Sequence, residues 1–397
     1  MRLKRFPLGW ETAGFCSTIR PRHVVATAAA LIIALSGFAG ATITTPTPGL
    51  PSSYTTPSTP TRCAGSLVPA PRLSAITFLN ASTGIGVVAR STDCPARLAV
   101  TTDGGVTWHE DGGPLPAWRG GFSIEPTIVF PTRQVGWITS DGGLVSTRDG
   151  GAHWTLLHLC RQVQAIAGVG KSVWIVVAGC VPGNSYTVEV NNLASPGWQP
   201  VGTVQSALGT YQGVTVAPLA STSVLVSIGA FGEGWAFLAV EGSKKLIDVK
   251  PCLPNSYWLS GLSVSSRELV WAVCVEGDGA GTPKSLLSSS DGGREWHLVA
   301  VDPSASSSPP EAQPNGGFIN LAAVNRRDLW MATTSGLFAS SDGGAQWSPI
   351  PGIATEHEAD YFSFANPTHG WFLVPGHALW KTVNGHVWEL ATGPVPL

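Results

Sequence analysis

Two short acidic segments hold the residues of this chain whose types and spacing best suit catalysis. Two carboxyl groups on opposite sides of a glycosidic bond can act as general acid and as base or nucleophile, which is how glycoside hydrolases work. A solvated acidic loop without chemistry is the more ordinary explanation of both segments. The candidate catalytic carboxylates are Glu276, Asp278, Glu356, Glu358 and Asp360, and His357 between two of them is a candidate binding residue.

The dipeptide Trp118-Arg119 is a second candidate for ligand binding. An exposed indole beside a guanidinium can hold a ligand by stacking and by charge, although a buried tryptophan explains the residue equally well. The sequence has no Gly-x-Ser-x-Gly nucleophile elbow, phosphate-binding loop or dinucleotide fingerprint. We therefore expect no cofactor.

The pattern [Ser/Thr]-x-Asp-Gly-Gly-x-x-Trp recurs along the chain and organises it. Asp-Gly-Gly between two short apolar runs indicates a tight turn, in which the Asp and the Ser or Thr accept backbone N–H bonds and the Trp packs beside the hairpin. Five near-copies point to a repeated structural need, because an active site occurs once. The predicted structural pairs are Asp103 and Trp108, Asp149 and Trp154, Asp291 and Trp296, Asp342 and Trp347, and the altered copy Asn384 and Trp388.

These repeats resemble the Asp-box (BNR) repeats of sialidase-like and photosystem II assembly-factor-like β-propellers. The resemblance covers about four-fifths of the chain and implies a propeller whose Asp-box turns lie away from the ligand face. It does not carry the photosynthetic role. The Arg-rich surface patch of the assembly factor has no counterpart here beyond the pair Arg326-Arg327.

Sialidase chemistry does not fit the sequence. The run Pro71-Arg72-Leu73-Ser74 lacks the proline that follows the apolar residue in the Arg-Ile-Pro-like motif of sialidases, and none of the five tyrosines has a nucleophile context. The resemblance also extends to xyloglucanase-like enzymes, which form their cleft between two such propellers, whereas this chain has one.

Spacing and composition together predict an all-β fold. A Gly-Trp or Val-Trp signature recurs in second-strand position, and the gap between Trp154 and Trp296 fits about three repeats of ~47 residues. Ser195-Pro196-Gly197 is expected to replace the box turn in one of two repeats without a box. We predict a seven-bladed β-propeller of four-stranded antiparallel blades over residues 72–397.

Six of the seven cysteines lie beyond the N-terminal region, where an oxidising compartment favours disulfides. Six cysteines allow 15 pairings. In a propeller, the loop that enters strand one and the loop that leaves strand two share a face, and three repeats place cysteines at those points. We therefore expect Cys63–Cys94, Cys160–Cys180 and Cys252–Cys274, and no metal site, because no Cys-x-x-Cys or His-x-x-x-His accompanies them.

The N-terminal region predicts export. Residues 1–23 form a basic cytoplasmic flank, and residues 24–43 are an uncharged run that is long enough to span a bilayer, as an anchor or as the core of a cleaved signal peptide. Residues 44–71 read as a Thr/Pro/Ser-rich linker. We favour the single-pass anchor, with the propeller outside the cell membrane; the alternative is a secreted protein.

Without residues 1–41 the chain keeps 18 basic and 24 acidic residues, a formal net charge of −6. This balance argues against nucleic acid as a partner. We expect a monomeric, non-catalytic module that binds or scaffolds an envelope protein or a glycan. The alternative is a glycoside hydrolase, which would need two carboxylates about 5–10 Å apart across the central cleft.

Overall fold

The computed structural model describes most of the chain beyond residue 72. The described residues are 73–88, 95–116, 126–141, 143–157, 162–179, 185–193, 195–205, 213–230, 233–243, 245–252, 258–275, 284–301, 314–353, 355, 361–375 and 377–392. All of them belong to one compact unit, Ser58–Leu397. They form seven antiparallel sheets, each built from four consecutive strands, which we number as blades one to seven in chain order.

The first strand of each blade lies innermost. Each contacts the first strand of the next blade, and that of blade seven contacts that of blade one, so the ring closes. The first strands are β1 (Leu73–Phe78), β5 (Thr127–Val129), β9 (Val163–Val169), β13 (Gly213–Ala220), β17 (Trp258–Val264), β21 (Phe318–Ala323) and β25 (Tyr361–Phe364). The chain is therefore a seven-bladed β-propeller, which confirms the predicted fold class.

The second strands are buried because blades cover both of their faces. They are β2 (Gly84–Val88), β6 (Gly136–Ser140), β10 (Ser172–Ala178), β14 (Ser223–Ala230), β18 (Val270–Val275), β22 (Leu329–Thr333) and β26 (Gly370–Val374). Five of them carry the recurrent tryptophan, and all five rings are buried: Trp137, Trp174, Trp271, Trp330 and Trp371. Gly370 precedes one such ring because a Cβ there would lie 2.3 Å from Phe364.

The third strands lead into the Asp boxes in five of the seven blades. They are β3 (Arg97–Thr101), β7 (Gly143–Thr147), β11 (Ser185–Asn192), β15 (Glu233–Val240), β19 (Lys284–Ser289), β23 (Gly336–Ser340) and β27 (Ala378–Thr382). In blades one, two, five, six and seven the box forms the turn from the third strand to the fourth.

The fourth strands form the outer edges of the blades, and several are very short. Short edge strands limit edge-to-edge pairing with other chains. They are β4 (His109–Asp111), β8 (Thr155–Leu157), β12 (Ser195–Gln205), β16 (Ile247–Val249), β20 (His297–Val301), β24 (Ser348–Pro349) and β28 (Trp388–Thr392).

Blade three departs from the expected turn. Ser195-Pro196-Gly197 does not replace the box turn, because it lies at the start of β12. The strands β11 and β12 stay paired up to Asn192 and Ser195, which leaves only two residues for the connection. Proline and glycine therefore mark an irregular strand start here, next to a register shift.

The ring closes between blades one and seven without a shared strand, so side chains must hold this seam. Phe78 stacks flat on Trp371, with ring centroids 3.5 Å apart. The backbone N–H of Phe78 donates to the Ser363 hydroxyl at 2.9 Å. Trp371 Nε1 donates to the carbonyl of Gly104, in the first Asp box, at 2.9 Å. Apolar side chains of both blades form one buried cluster around these contacts.

The second glycine of each intact box touches the preceding blade. A Cβ at Gly344 would lie 2.1 Å from Leu286, and one at Gly151 would lie 2.5 Å from Leu98. Both glycines also have positive φ angles, 86° and 97°. A side chain is excluded at this position by contact and by backbone conformation together.

The predicted boundaries of the N-terminal segments at 23, 43 and 71 lie outside the described residues, as does the hydrophobic run 24–43. Within the described part of the chain, no helix has the length and apolar character needed to cross a bilayer.

The contacts between blades one and seven predict how a substitution of Trp371 changes stability. Trp371→Phe removes the bond to Gly104 and leaves that carbonyl without its donor, so we expect it to cost about 1–3 kcal/mol more than an equivalent substitution that breaks no bond. Trp330→Phe is the matched control, because Trp330 is also buried and its Nε1 has no hydrogen-bond partner. Urea unfolding of both variants measures the difference. Equal losses of stability would contradict the role of the Trp371–Gly104 bond.

Candidate functional site

The first Asp box is a closed hydrogen-bond network. The Thr101 hydroxyl donates to the Asp103 carboxylate at 2.7 Å and accepts the N–H of Gly105 at 2.9 Å. The carboxylate also accepts the N–H groups of Val106 and Thr107 at 3.0 and 2.9 Å, and the Thr107 hydroxyl at 2.5 Å. The Asp103 oxygens are thus engaged within the turn itself.

The other boxes repeat this network. The hydroxyl before the Asp binds its carboxylate at 2.9, 2.7 and 2.8 Å in blades two, five and six, and accepts the second glycine N–H at 2.8 Å in each. In blade seven Asn384 accepts the N–H groups of His386 and Val387 at 2.9 and 2.8 Å. An amide oxygen therefore replaces the carboxylate without loss of the turn.

The box carboxylates have lowered pKa values for structural reasons. Burial acts to raise the pKa of Asp103, but hydrogen bonds from Thr107, Thr101 and Val106 outweigh it and lower the pKa to about 2. Bonds from the N–H and ring of His153 lower the pKa of Asp149 to about 2. The pKa values of Asp291 and Asp342 are lowered as well, Asp291 against opposing burial and Asp342 chiefly by the Gln346 N–H. Carboxylates held ionised in this way are unsuited to general acid catalysis at neutral pH.

Each intact box also fastens a second turn. The N–H of its first glycine donates to a carbonyl in the turn between strands one and two of the same blade. The four bonds are Gly104 to Ser82 at 2.8 Å, Gly150 to Gln134 at 2.8 Å, Gly292 to Glu268 at 2.9 Å and Gly343 to Arg327 at 2.9 Å. The box turns and the strand 1–2 turns therefore share one face of the propeller, which we call the Asp-box face.

A cleft of about 360 Å³ opens where the first strands of blades five, six and seven end at this face. It lies beside the strand 1–2 turns, two of which are fastened by boxes. We call it the inner cleft, and its lining is Ser263, Val264, Ser265, Asn320, Leu321, Ala322, Ala323, Val324, Phe362, Phe364, Asn366 and Pro367. None of these side chains is charged.

Hydroxyl groups join the blades along this cleft. The Ser263 hydroxyl accepts the N–H of Ala323 at 2.8 Å, and the Ser265 hydroxyl donates to the Ala323 carbonyl at 2.9 Å. On the other wall, Phe362 packs on Phe372 with ring centroids 4.8 Å apart, and Phe364 packs on Trp330 at 4.7 Å. The cleft therefore has a polar wall that is held by hydrogen bonds and an aromatic wall that is held by ring packing.

The described first strands, which form the inner surface of the propeller, are also uncharged. The seven first strands, as bounded above, contain no Asp, Glu, Lys, Arg or His. A catalytic carboxylate would therefore have to come from a loop. None of the described first strands offers an acid and base pair.

The sequence-predicted site residues Glu276, Asp278, Glu356, Glu358, Asp360, His357, Trp118 and Arg119 all lie outside the described residues, and their roles stay predictions. The inner cleft was not anticipated from the sequence. A usable signal was present, because Ser263 and Asn320, which line the cleft, are polar residues in mainly apolar first strands.

Cys252 and Cys274 form a disulfide, with Cα atoms 5.6 Å apart. Cys252 precedes β17 and Cys274 lies on β18 where it pairs with the start of β17, so this bond sits at the end of blade five away from its Asp box. The expected pairs Cys63–Cys94 and Cys160–Cys180 lie outside the described residues. No group of three or more His, Cys, Asp or Glu side chains in the described residues could hold a metal ion.

No protein-family model matches the sequence, and no characterised protein matches it. Solved structures do match the fold. A structure of YCF48 bound to D1 peptide is 17% identical with a TM-score of 0.56, over 81% of this chain and 96% of that chain. YCF48 from Cyanidioschyzon merolae is 15% identical with a TM-score of 0.55, over 80% and 98%.

An ancestral GH74 enzyme matches at 12% identity with a TM-score of 0.57, over 83% of this chain and 48% of that enzyme. This chain spans about half of the enzyme's length. At such identities the likeness shows the propeller fold, and that fold occurs both in YCF48 bound to a peptide and in an enzyme.

The Asp103 network predicts a pH dependence. A carboxyl group whose folded pKa is about 2, against an ordinary 3.8, stabilises the fold above pH 3.8. That contribution is lost as the pH falls through about 2. We therefore expect wild type to exceed Asp103→Asn in stability at pH 5, with the difference shrinking between pH 4 and pH 2.

Chemical unfolding at several pH values tests this expectation. The reciprocal variant Asn384→Asp should be more stable than wild type at pH 5. This added stability, which comes from the new carboxylate in blade seven, should be lost in acid. A pH-independent difference between wild type and Asp103→Asn would contradict the assigned cause of the lowered pKa.

Proposed function

We propose that this protein is an exported, non-catalytic propeller that binds or scaffolds an envelope protein or a glycan. The observation that carries the proposal is the uncharged inner surface, formed by seven first strands without an acidic or basic side chain. A surface of this kind supplies hydrogen bonds and apolar contact, which are means of binding. These seven strands supply no carboxylate for acid or nucleophilic catalysis.

The Asp boxes support the same proposal. They hold the acidic residues that recur most regularly in the chain. The carboxylate of each intact box, however, accepts hydrogen bonds within its own turn. Two-carboxylate hydrolysis needs groups that face each other across a bond. The remaining candidates for that chemistry are the loop residues Glu276 and Asp278 and the run from Glu356 to Asp360.

Known propellers of similar fold also support a binding role. YCF48, whose structure with a D1 peptide resembles this chain, shows that such a propeller can hold a segment of another protein. The GH74 enzyme has about twice the length of the matched region. A single propeller that binds a ligand without cleaving it is consistent with this shorter length.

The place of action in this proposal is the outer side of the cell membrane. Residues 24–43 would anchor the chain, residues 44–71 would act as a spacer, and the propeller would stand free as a monomer. A secreted form, produced by cleavage after residue 41, would keep the same binding surface.

Crosslinking in the native envelope tests the proposal. The full chain with a C-terminal tag is crosslinked in cells and purified, and captured molecules are identified by mass spectrometry. We expect a small, reproducible set of envelope proteins or wall polysaccharide, and no release of reducing sugar from that polysaccharide.

A matched variant replaces the five loop carboxylates by amides: Glu276→Gln, Asp278→Asn, Glu356→Gln, Glu358→Gln and Asp360→Asn. It should capture the same molecules as wild type. Release of sugar by wild type that disappears in this variant would replace the proposal with the glycoside hydrolase alternative.

A further inference from the structure

We propose that the inner cleft binds a neutral sugar unit of a glycan. This inference rests on the proposed binding function and deepens it, because it names the ligand chemistry and the surface that recognises it. The site lies on the Asp-box face, and the resemblance to other Asp-box propellers predicted ligands on the opposite face.

The size of the inner cleft and the rigidity of its walls fit a ligand-binding site. The cleft volume of about 360 Å³ falls in the range of roughly 300–1,000 Å³ typical of small-molecule sites. Its walls are innermost strands of three blades, and the Ser263 and Ser265 bonds to Ala323 join two of them, blades five and six. Box glycines Gly292 and Gly343 fasten two of the turns beside it. A site on rigid elements needs little reorganisation to bind.

The lining selects a neutral ligand. It contains no charged side chain, so a phosphate, carboxylate or ammonium group inside it would lose water without gaining a counter-charge. Serine hydroxyls and asparagine amides are exposed in the same space. The ligand must therefore be uncharged and still able to form several hydrogen bonds.

Asn366 offers donors to the cleft. Its Oδ1 already accepts the N–H groups of Thr368 and His369, each at 2.9 Å, and the Thr368 hydroxyl at 2.9 Å. Its remaining hydrogen-bonding capacity is the two N–H groups of Nδ2. Ser263, which accepts from Ala323, keeps a hydroxyl proton to donate, and Ser265, which donates to Ala323, keeps lone pairs to accept.

Donors and acceptors placed together suit sugar hydroxyls, each of which can donate and accept. The partly exposed rings of Phe362 and Phe364 supply an apolar wall on the other side. A pyranose has polar edges and apolar C–H faces, so it can use both walls at once. A purely aliphatic group could not use the serine hydroxyls or the Asn366 Nδ2 donors.

The backbone of β21 argues against a peptide strand as the occupant. A peptide that adds to a strand edge binds through unpaired N–H and C=O groups. In this cleft the N–H and carbonyl of Ala323 are bonded to Ser263 and Ser265, and the N–H of Leu321 is bonded to Asn320 Oδ1 at 2.8 Å. Recognition must therefore come from side chains.

The test uses the full chain and a panel of uncharged tetrasaccharides of glucose, mannose, galactose and N-acetylglucosamine. Ligand-observed NMR detects binding and any cleavage in the same sample. Asn366→Asp keeps the oxygen that caps the turn, but it replaces both Nδ2 donors with a charge. We expect wild type to bind at least one sugar and Asn366→Asp to bind it about tenfold more weakly, the effect of one lost hydrogen bond and a desolvated charge.

Asn80→Asp is the matched control. Asn80 caps the equivalent turn in blade one, where its Oδ1 accepts the N–H groups of Ser82 and Thr83 at 2.9 and 2.8 Å. It does not line the cleft, so its substitution should leave sugar binding within about twofold of wild type, since an Asp caps such a turn as well as an Asn. If Asn366→Asp proves unstable, Ser263→Thr adds a methyl group to the cleft while it keeps the hydroxyl, and should weaken binding similarly.

The outcomes separate this inference from the function on which it rests. Absence of binding to every sugar, or equal binding by the two Asn variants, would overturn the sugar site and leave a protein partner for the propeller. Competition for the cleft by a peptide from the crosslinked partner would overturn it as well. Cleavage of a tetrasaccharide by wild type would instead overturn the non-catalytic function.

Discussion

The structure depends on a small set of hydrogen bonds that each Asp box makes in two directions. Inward, the carboxylate and the preceding hydroxyl close the box turn, as Asp103 and Thr101 do in blade one. Outward, the first glycine N–H holds the turn between strands one and two. The second glycine leaves room for a side chain of the preceding blade, such as Leu286 against Gly344. One motif therefore sets the turn, the neighbouring turn and the contact between blades.

The Asp-box network also takes part in closing the ring. Blade seven meets blade one without exchanging a strand, and Trp371 reaches from a second strand into the first box. The hydrogen bonds of the Asp-box face hold the turns beside the inner cleft, so this space among three first strands keeps a defined shape. The Asp carboxylates are used within the box turns, and the lining of the cleft is uncharged.

Much of the fold could be predicted from the sequence because the repeat is local. The box turns, the buried tryptophans of the second strands and the seven blades all follow from spacing and from side-chain chemistry. Ser195-Pro196-Gly197 was misleading because turn-forming residues also occur where a strand begins irregularly. The inner cleft could not be predicted in the same way. Ser263, Asn320 and Asn366 come from three neighbouring blades, and only the packing of these blades against one another brings the residues together.

Hydrogen exchange of isotope-labelled glycine amides measures whether the Asp boxes hold the turns of the Asp-box face. Gly170, Gly242 and Gly352 provide internal references, since they also have positive φ angles but stand in open turns. We expect the amides of Gly104, Gly150, Gly292 and Gly343 to exchange far more slowly than these references, because each donates to a strand 1–2 turn. Exchange of the four box amides as fast as that of the reference glycines would contradict this expectation.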